Sequence, residues 1–440
     1  MSGAVHGFIS LDLFPLLAGT LAALSCGLLG NFLVLRRLSL MGDAISHSVL
    51  PGLVIAFLVA GTRNSLPMFA GAAIAGIATV VLVEVVKKLG RVEPGAAMGV
   101  VFSVLFALGV LLIEQAAARS VDLDADCVLH GQLETLFWFP PADWGALLSV
   151  ETLREVPRQV TTLAAMLAAS VAFVAIFFKE LRLAAFDPSL ATAQGFNATA
   201  MHYALMVLVA AATVASFEAV GSILVIAMLI CPAATARLVT DRLLPQILAS
   251  AAFAVIAGVG GYFAATWIPE RLGHDAVNAA GSMTLVAGAL VAAAAVLSPR
   301  HGVLARVVRR RRMGRDVAME DLLAAMHRLA EGGEADPSDR RLAEVMPRRS
   351  VRGLAAAAAR GLVERSDGTV SLTPSGRDAA ADVIRRHRLW ESYLVDEAGL
   401  AADHVHDTAA QLEHLRLRPP ADAATDPHGR DIPPPPGPAE

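Results

Sequence analysis

The clearest candidate for chemistry in this sequence is a carboxylate and an imidazole four residues apart. Residues 35–52 read LRRLSLMGDAISHSVLPG, so Asp43 and His47 would share one face of a helix. These two groups are suitable ligands for Mn²⁺, Fe²⁺ or Zn²⁺. The same spacing also fits an ordinary helix start, with Asp43 favoured by the helix dipole. From the spacing alone, both interpretations stay open.

Glu218 is a second isolated acid, within the apolar stretch SFEAVGSILVIAMLICPAATARL. An acid at membrane depth is expensive and is by default a functional hypothesis. Two interpretations stay open, a solvated acid at a turn between helices and a gating carboxylate. Pro232, later in the same stretch, is expected to kink or end its helix.

A polar segment between two apolar stretches carries helix-start and helix-stop signals. Residues 179–199 read KELRLAAFDPSLATAQGFNAT, where Asp187-Pro188 is typical of a helix start and Gly195 of a stop. The segment predicts a short helix on the membrane surface. It is either a plain loop or a docking element for a motor subunit, formed by Phe186, Asp187, Pro188 and Gly195.

Composition indicates that these residues lie in a membrane domain. The 440-residue chain is 55% hydrophobic and only 17% charged, whereas soluble domains carry about 25% charged residues. Charges are sparse up to about Ser298 and dense after it, which marks a domain boundary. The three cysteines, Cys26, Cys127 and Cys231, are too far apart to indicate a disulfide framework or a zinc knuckle. The start lacks a secretory-signal pattern, so the first apolar stretch is expected to be a retained helix.

Most apolar stretches have the length of one membrane span, about 20 residues. Residues 201–236 are too many for a single crossing at about 1.5 Å per residue, so two short spans are predicted to meet near Glu218 and Gly221. This gives nine crossings, or eight if the Glu218 region is a re-entrant break. The other spans are predicted at residues 11–35, 44–60, 67–86, 96–113, 160–178, 243–266 and 277–297.

Lysine and arginine near the span ends predict the orientation. Basic residues mark the cytoplasmic side of membrane proteins, and in the nine-span arrangement most of them fall on one side. Residues 114–159 are then external and the C-terminal region is cytoplasmic. The basic residues on the predicted cytoplasmic side are Arg36, Arg37, Lys87, Lys88, Arg91, Lys179, Arg182, Arg237, Arg242, Arg306 and residues 309–312.

The region after residue 300 predicts a soluble α+β domain. Apolar spacing predicts helices at residues 319–330, two within 340–360, and others at 375–398 and 403–414, while Asp367-Gly368 predicts a hairpin within 361–374. Helices followed by a small hairpin are typical of a winged helix-turn-helix. The predicted organisation is a membrane domain at 1–300, a basic linker at 301–316, this winged-helix-like domain at 317–432 and a disordered Pro-rich tail at 433–440.

Three stretches together resemble the permeases of the zinc/manganese/iron family of ABC importers. They are residues 35–52, the loop FDPSLATAQGF and residues 220–235, and VDLDADCVLHG at 121–131 is similar to the manganese-type members. The resemblance covers roughly residues 11–300. It implies a helical bundle that pairs with a second permease, identical or not, and a metal path lined by Asp43 and His47. It also implies an ATPase docked on the cytoplasmic loop and an extracytoplasmic metal-binding protein.

The tail, residues 318–433, resembles the iron/manganese-dependent transcriptional repressors, most strongly from Leu372 onward. Two ligands that the resemblance implies are absent, since Ala324 stands where a manganese-type Glu is expected and Ala410 where a Cys or Glu is expected. A relict helix pair and a working metal sensor both stay open. The residues positioned like metal ligands are Asp321, His387, Glu391, His406, Glu413 and His414.

The presumed recognition helix of the tail, residues 350–360, is short and rich in alanine. Arg348, Arg349 and Arg352 are suited to phosphates, but polar side chains that read bases are scarce. Nucleic acid is therefore a doubtful partner for the tail.

The sequence thus predicts an all-α polytopic membrane protein of eight or nine transmembrane helices with a C-terminal cytoplasmic winged-helix-like α+β domain. The expected function is the permease subunit of an ABC importer in the bacterial cytoplasmic membrane, with divalent manganese, zinc or iron as substrate and as regulator of the tail. No GxxxxGK[ST] phosphate loop occurs, so ATP hydrolysis is expected on a separate chain, and no covalent cofactor is expected. The alternatives are a membrane-tethered metal-responsive transcriptional regulator and a gradient-driven transporter that needs no docking loop.

Overall fold

The computed structural model describes residues 8–60, 65–117, 133–136, 156–346, 350–415 and 423–435. The chain divides into two compact units, Met1–Ala305 and Arg306–Glu440. The acidic stretch at 121–131 that was compared with manganese-type permeases lies outside the described residues, as do Arg348 and Arg349.

The first unit is a bundle of apolar helices. Within the described ranges, eight helices are long and apolar enough to cross a membrane, which confirms the all-α membrane domain. Its α-helices are α1 (Leu13–Leu35), α2 (Met41–Ala60), α3 (Ser65–Gly90), α4 (Pro94–Ala117), α5 (Arg158–Ile176), α6 (Phe178–Phe186), α7 (Pro188–Ala193), α8 (Ala198–Val239), α9 (Leu243–Arg271) and α10 (Ala279–Leu297).

Helix α8 contains the break that the sequence predicted near Glu218. Gly221 has φ 76° and ψ 169°, a conformation essentially restricted to glycine. The residues on its two sides form segments of about 35 and 27 Å at about 1.5 Å per residue, close to the thickness of a hydrocarbon core, about 30 Å. Pro232 was expected to kink or end its helix. The helix does not end there, since α8 continues to Val239, and the residue inside α8 with non-helical φ and ψ is Gly221.

Both ends of α8 lie at the C-terminal end of α1. At the start of α8, the His202 Nδ1 atom is 3.1 Å from Nη1 of Arg36, the residue that follows α1. Shortly after α8 ends, Gln246 of α9 donates from Nε2 to Oδ1 of Asn31 near the same end of α1, at 3.1 Å. The two halves of α8 therefore fold back on each other. Counted by halves of α8, the eight candidate membrane helices among the described residues comprise nine apolar segments.

Helix α1 packs closely with α8 and α9 because small residues let the backbones approach. A Cβ atom on Gly30 would lie 1.8 Å from the carbonyl oxygen of Leu229 in α8, so only glycine fits there. Toward α9, Ser250 donates from Oγ to the Gly27 carbonyl at 3.1 Å. Small residues and interhelical hydrogen bonds of this kind are typical of helix packing in lipid.

The second unit contains a two-stranded antiparallel hairpin among helices, as the sequence predicted. Asp367 and Gly368 at its turn both have positive φ, 50° and 78°, as a two-residue hairpin turn requires. The segment 301–316, predicted as a linker, is helical from Val303 onward, since its run of arginine, valine and methionine contains no proline. The elements are α11 (Val303–Glu331), α12 (Asp339–Val345), α13 (Ser350–Ala358), β1 (Val363–Ser366), β2 (Thr369–Leu372), α14 (Pro374–Asp396) and α15 (His406–Leu412).

The core of the second unit joins α11 to the hairpin and to α14. Buried apolar side chains of α11, including Leu322 and Met326, form one cluster with Val370 of β2 and Ala380 of α14. On another face of α14, Nη2 of Arg388 donates to both carboxylate oxygens of Glu331, at 2.8 and 2.9 Å. This packing holds α14, which carries His387 and Glu391, against the end of α11.

Candidate metal sites

The candidate ion-path pair lies in the first two turns of α2. Its Asp43 Oδ1 and His47 Nε2 atoms are 3.3 Å apart, and the two side chains keep 36% and 27% of their exposure. Two potential ligand atoms therefore face the same region and remain accessible from outside the protein interior. Gly42 allows α2 to pack closely on α8 beside this pair, since a Cβ on residue 42 would lie 2.4 Å from Cδ1 of Leu229.

Two aromatic rings of α4 hold the imidazole of His47. The ring centroid of His47 is 5.2 Å from that of Phe102 and 5.7 Å from that of Phe106, the second in an edge-on arrangement. Aromatic pairs at these distances are favourable beyond the area they bury. Sequence reasoning missed both phenylalanines, whose four-residue spacing on a predicted span was the available signal.

Glu218 is exposed and stands three residues before the break at Gly221. Arg158, the first residue of α5, is close enough to act on its carboxylate electrostatically. The structure thus places Glu218 at the turn between the two halves of α8, on a different element from Asp43 and His47.

The predicted docking segment has the helix start and stop that the sequence indicated. The Asp187 carboxylate accepts hydrogen bonds from the backbone N–H of Ser189 and Leu190, both at 3.0 Å, as an N-cap does. Pro188 is the first residue of α7, and Gly195 ends the turn after it with φ 86°. Phe186 is 58% exposed, so an apolar side chain points outward beside this helix.

In the second unit, α14 and α15 bring together His387, Glu391 and His406. The Glu391 Oε1 atom is 3.2 Å from His387 Nε2 and 2.9 Å from His406 Nδ1. His387 and Glu391 are buried, whereas His406 is half-exposed. One ligand atom from each lies within 4.8 Å of the others, close enough together to hold one metal ion. We name this group the first tail cluster.

A second tail cluster consists of Asp321, Glu413 and His414, whose ligand atoms also lie within 4.8 Å of one another. The His414 Nε2 atom is 3.1 Å from Asp321 Oδ1 and 3.8 Å from Glu413 Oε1. The other carboxylate oxygen of Glu413 is 2.5 Å from His387 Nδ1, so the two clusters adjoin. Together they contain all six tail residues that the sequence singled out.

Glu320 is a further member of this region that sequence reasoning missed. Its Oε2 atom is 2.7 Å from Nδ1 of His414, and only 7% of the residue is exposed. The available signal was an acid beside Asp321, but neighbouring positions on a helix point in different directions.

Hydrogen bonds between these groups determine their charge. Burial opposes ionisation of Glu391, yet hydrogen bonds from His387 and His406 lower its pKa to about 2. For His414, hydrogen bonds to Asp321 and then to Glu320 raise the pKa to about 9. Burial lowers the pKa of His387, but hydrogen bonds to Glu391 and Glu413 outweigh it and raise the pKa overall. The carboxylate of Glu391 is therefore ionised, and His387 and His414 hold a proton more tightly than a free imidazole. A bound divalent cation would have to displace these protons.

The two positions that depart from the repressor pattern do not contribute ligands. Ala324 is buried against Val383 and Ile384 in a small apolar cluster, so it fills space where a carboxylate was expected. Ala410, on α15, has no side-chain donor either. Imidazole and carboxylate donors remain, a set that fits Mn²⁺, Fe²⁺ or Zn²⁺.

Comparison with known proteins identifies the class of the membrane unit. The family model described as the ABC 3 transport family matches residues 13–137 and 145–296, which is more than half of the chain. The chain therefore belongs to the ABC 3 transport family, and the resemblance of its membrane domain to ABC permeases is confirmed. With its eight apolar helices, it is a multi-pass membrane protein.

Individual relatives agree with this class. The chain is 38% identical over 310 residues to the manganese transport system membrane protein MntD of Bacillus subtilis, covering 70% of this chain and all of that protein. It is 37% identical over 365 residues to the zinc transport system membrane protein TroD of Treponema pallidum, covering 82% and 95% of the two. The structure of PsaBC from Streptococcus pneumoniae in complex with Fab matches with TM-score 0.53 and 29% identity, covering 68% of this chain and 98% of that one.

The tail has its own match. Residues 373–416 match the model described as the iron dependent repressor, metal binding and dimerisation domain. The resemblance of the tail to metal-dependent repressors is confirmed over this range, which includes every tail cluster residue except Asp321.

Proposed function

We propose that this chain is the permease subunit of an ABC importer that moves a divalent transition-metal ion, manganese, zinc or iron, into the cytoplasm. The observation that carries the proposal is the accessible pair of Asp43 and His47 on α2, 3.3 Å apart. The manganese and zinc transport relatives support the same class of cargo. The membrane is the bacterial cytoplasmic membrane.

The pair provides a transient binding site for the cargo. A single carboxylate and a single imidazole are two ligands, fewer than the four or more that hold a resident metal ion. A second permease chain, identical or different, would complete the coordination of the ion during its passage. An extracytoplasmic metal-binding protein would deliver the ion, and Glu218 would act as a gating carboxylate at the fold-back of α8.

Energy for transport would come from an ATPase on a separate chain. The segment of Phe186, Asp187, Pro188 and Gly195 offers an exposed apolar side chain beside a short capped helix, which suits docking onto another subunit. Its flanking basic residues, Lys179 and Arg182, favour the cytoplasmic side.

The tail would lie in the cytoplasm, bind the transported metal and regulate uptake in cis. Two adjoining clusters of imidazole and carboxylate, in which three of the six residues are buried, support this role. Feedback requires only that bound metal favour one arrangement of the tail over another.

Reconstitution tests the proposal directly. The purified chain, its ATPase and its binding protein are placed in proteoliposomes, and accumulation of radiolabelled Mn²⁺ or Zn²⁺ is followed. Asp187→Ala removes the N-cap of α7, at a cost of about 1 kcal/mol, and is expected to weaken ATPase association, whereas Asp187→Asn keeps a capping oxygen. Accumulation that needs no ATP, or that a proton gradient alone drives, would contradict the proposal.

A membrane-tethered transcriptional regulator is the second candidate, favoured by the β1–β2 hairpin beside α13. The composition of α13 argues against base reading, because most of its residues other than Gly353 are alanine, leucine or valine. Gly353 itself packs so closely on Ala318 that a Cβ would lie 2.4 Å from the Ala318 carbonyl oxygen. Operator binding by the full chain in detergent, dependent on added Mn²⁺ or Zn²⁺, would favour this function.

A further inference from the structure

The two ring nitrogens of His414 face different kinds of neighbours. Its Nε2 atom faces the two carboxylates of the second tail cluster, Asp321 at 3.1 Å and Glu413 at 3.8 Å. Its Nδ1 atom faces Glu320, at 2.7 Å from Oε2. A metal ion held by the cluster would therefore use Nε2, and Nδ1 would be left to Glu320.

A neutral imidazole has one nitrogen that carries a proton and one that offers a lone pair. A hydrogen-bond acceptor beside one nitrogen fixes the proton there and leaves the lone pair on the other. Metal-binding histidines generally donate the remaining N–H to a carboxylate or carbonyl, which also fixes the ring plane. Glu320 is nearly buried, and its other oxygen lies 3.6 Å from Nη2 of Arg386. Its Oε2 atom is therefore positioned to accept a hydrogen bond from Nδ1–H of His414.

We propose that Glu320 is a positioning residue of the second tail cluster, which holds His414 in the Nδ1–H form and so directs the Nε2 lone pair toward the metal. This inference rests on the proposed metal binding of the tail. Ala324 and Ala410 leave the cluster with three donors, so the orientation of its single imidazole has a large effect on affinity. Glu320 is not itself a ligand of the same ion, because it lies on the opposite edge of the ring from Nε2.

Metal titration of the full chain in detergent tests the role. The parent carries His47→Ala, which removes the imidazole of the ion-path pair, and free Mn²⁺ is counted by electron paramagnetic resonance. Glu320→Ala is expected to weaken one tail site by about 10- to 100-fold. Glu320→Gln, whose amide oxygen still accepts from Nδ1–H, is expected to recover most of the affinity. Glu364→Ala, an exposed acid on β1, is the matched control and is expected to change nothing.

A double-mutant cycle separates positioning from general destabilisation. If Glu320 acts through His414, then Glu320→Ala causes no further loss of affinity once His414 is replaced by Ala. Equal losses in both backgrounds would overturn the inference, as would parent-like affinity in Glu320→Ala. Absence of any tail binding in the parent would instead contradict the proposed sensing role of the tail.

Discussion

The ion-path pair and the tail clusters use the same two ligand types in opposite surroundings. His47 is packed against two aromatic rings, accompanied by one carboxylate and partly exposed. His387 and His414 are packed among carboxylates and nearly buried. Few ligands and open access suit an ion that must leave again, whereas several buried charged ligands suit an ion that stays. Under the proposed function, the pair would serve passage of the ion and the tail clusters would serve its retention.

The largest expected effect is on passage. His47→Ala removes one of the two ligands of the pair and is expected to lower the initial uptake rate about 100-fold or more, since loss of even an outer-shell partner of a metal ligand costs about 10- to 100-fold in affinity. Uptake of radiolabelled Mn²⁺ or Zn²⁺ into proteoliposomes measures it. His274→Ala, in the exposed loop after α9, serves as the control, and undiminished uptake by His47→Ala would remove the ion path from this pair.

Replacement of a tail ligand should affect retention of the metal but not its passage. His387→Ala removes a ligand of the first tail cluster and the partner of Glu413, and tail affinity is expected to fall about 100-fold. Initial uptake at low metal should keep its rate, while shut-off at high metal should be lost. A parallel loss of initial uptake would mean that the tail belongs to the transport path.

Metal binding by the second tail cluster should depend on pH, because the metal ion competes with a proton for His414. The pKa of His414 is raised to about 9 by Asp321 and Glu320, so metal must displace a proton below that pH. Affinity of the second tail cluster is therefore expected to fall by about tenfold for each pH unit between about 8 and 6. Calorimetry in two buffers of different ionisation heat would show the released proton, and a pH-independent affinity would contradict this assignment.

The same raised pKa predicts how the metal-free tail responds to pH. A histidine whose pKa is higher in the folded chain stabilises the fold below its unfolded pKa, about 6.5. That contribution is lost as pH rises toward about 9. The unfolding temperature of the second unit, measured in the metal-free chain, should thus decrease across this range, and His414→Gln should flatten the decrease.

The smallest expected effect concerns the aromatic rings beside the ion path. Phe106→Leu removes an edge-on contact with His47, worth about 0.5–1.5 kcal/mol, and is expected to raise the apparent KM for metal about three- to tenfold. Phe263→Leu, on the exposed face of α9, is the control. A lower maximal rate with an unchanged KM would show that Phe106 does not act through the imidazole.

Much of the molecule could be predicted because its signals are local. The four-residue spacing of Asp43 and His47, the cap formed by Asp187 and the turn at Asp367-Gly368 each depend on a few neighbouring residues, and the structure contains all three. The break in α8 was also predictable in place, since an acid and a glycine interrupt an apolar run longer than one span.

The remainder depends on contacts between elements distant in the sequence. Phe102 and Phe106 contact His47 across more than fifty positions, and Glu320 contacts His414 across 94. No spacing rule connects such pairs. The helical form of the predicted basic linker could not be predicted for another reason, because a dense run of charge marks a domain boundary but does not itself specify a helix.

The central claim is that passage and retention are separate properties of this chain, and one experiment measures both. Initial uptake of external radiolabelled Mn²⁺ is measured in proteoliposomes with the full importer, and protein-bound Mn²⁺ is measured after the same preparation is solubilised in detergent with Mn²⁺, for the parent, His47→Ala and His387→Ala. The account predicts that His47→Ala loses uptake but keeps tail-bound metal, and that His387→Ala keeps uptake but loses the metal bound by the first tail cluster. Loss of both properties in either variant, or of neither in His47→Ala, would contradict it.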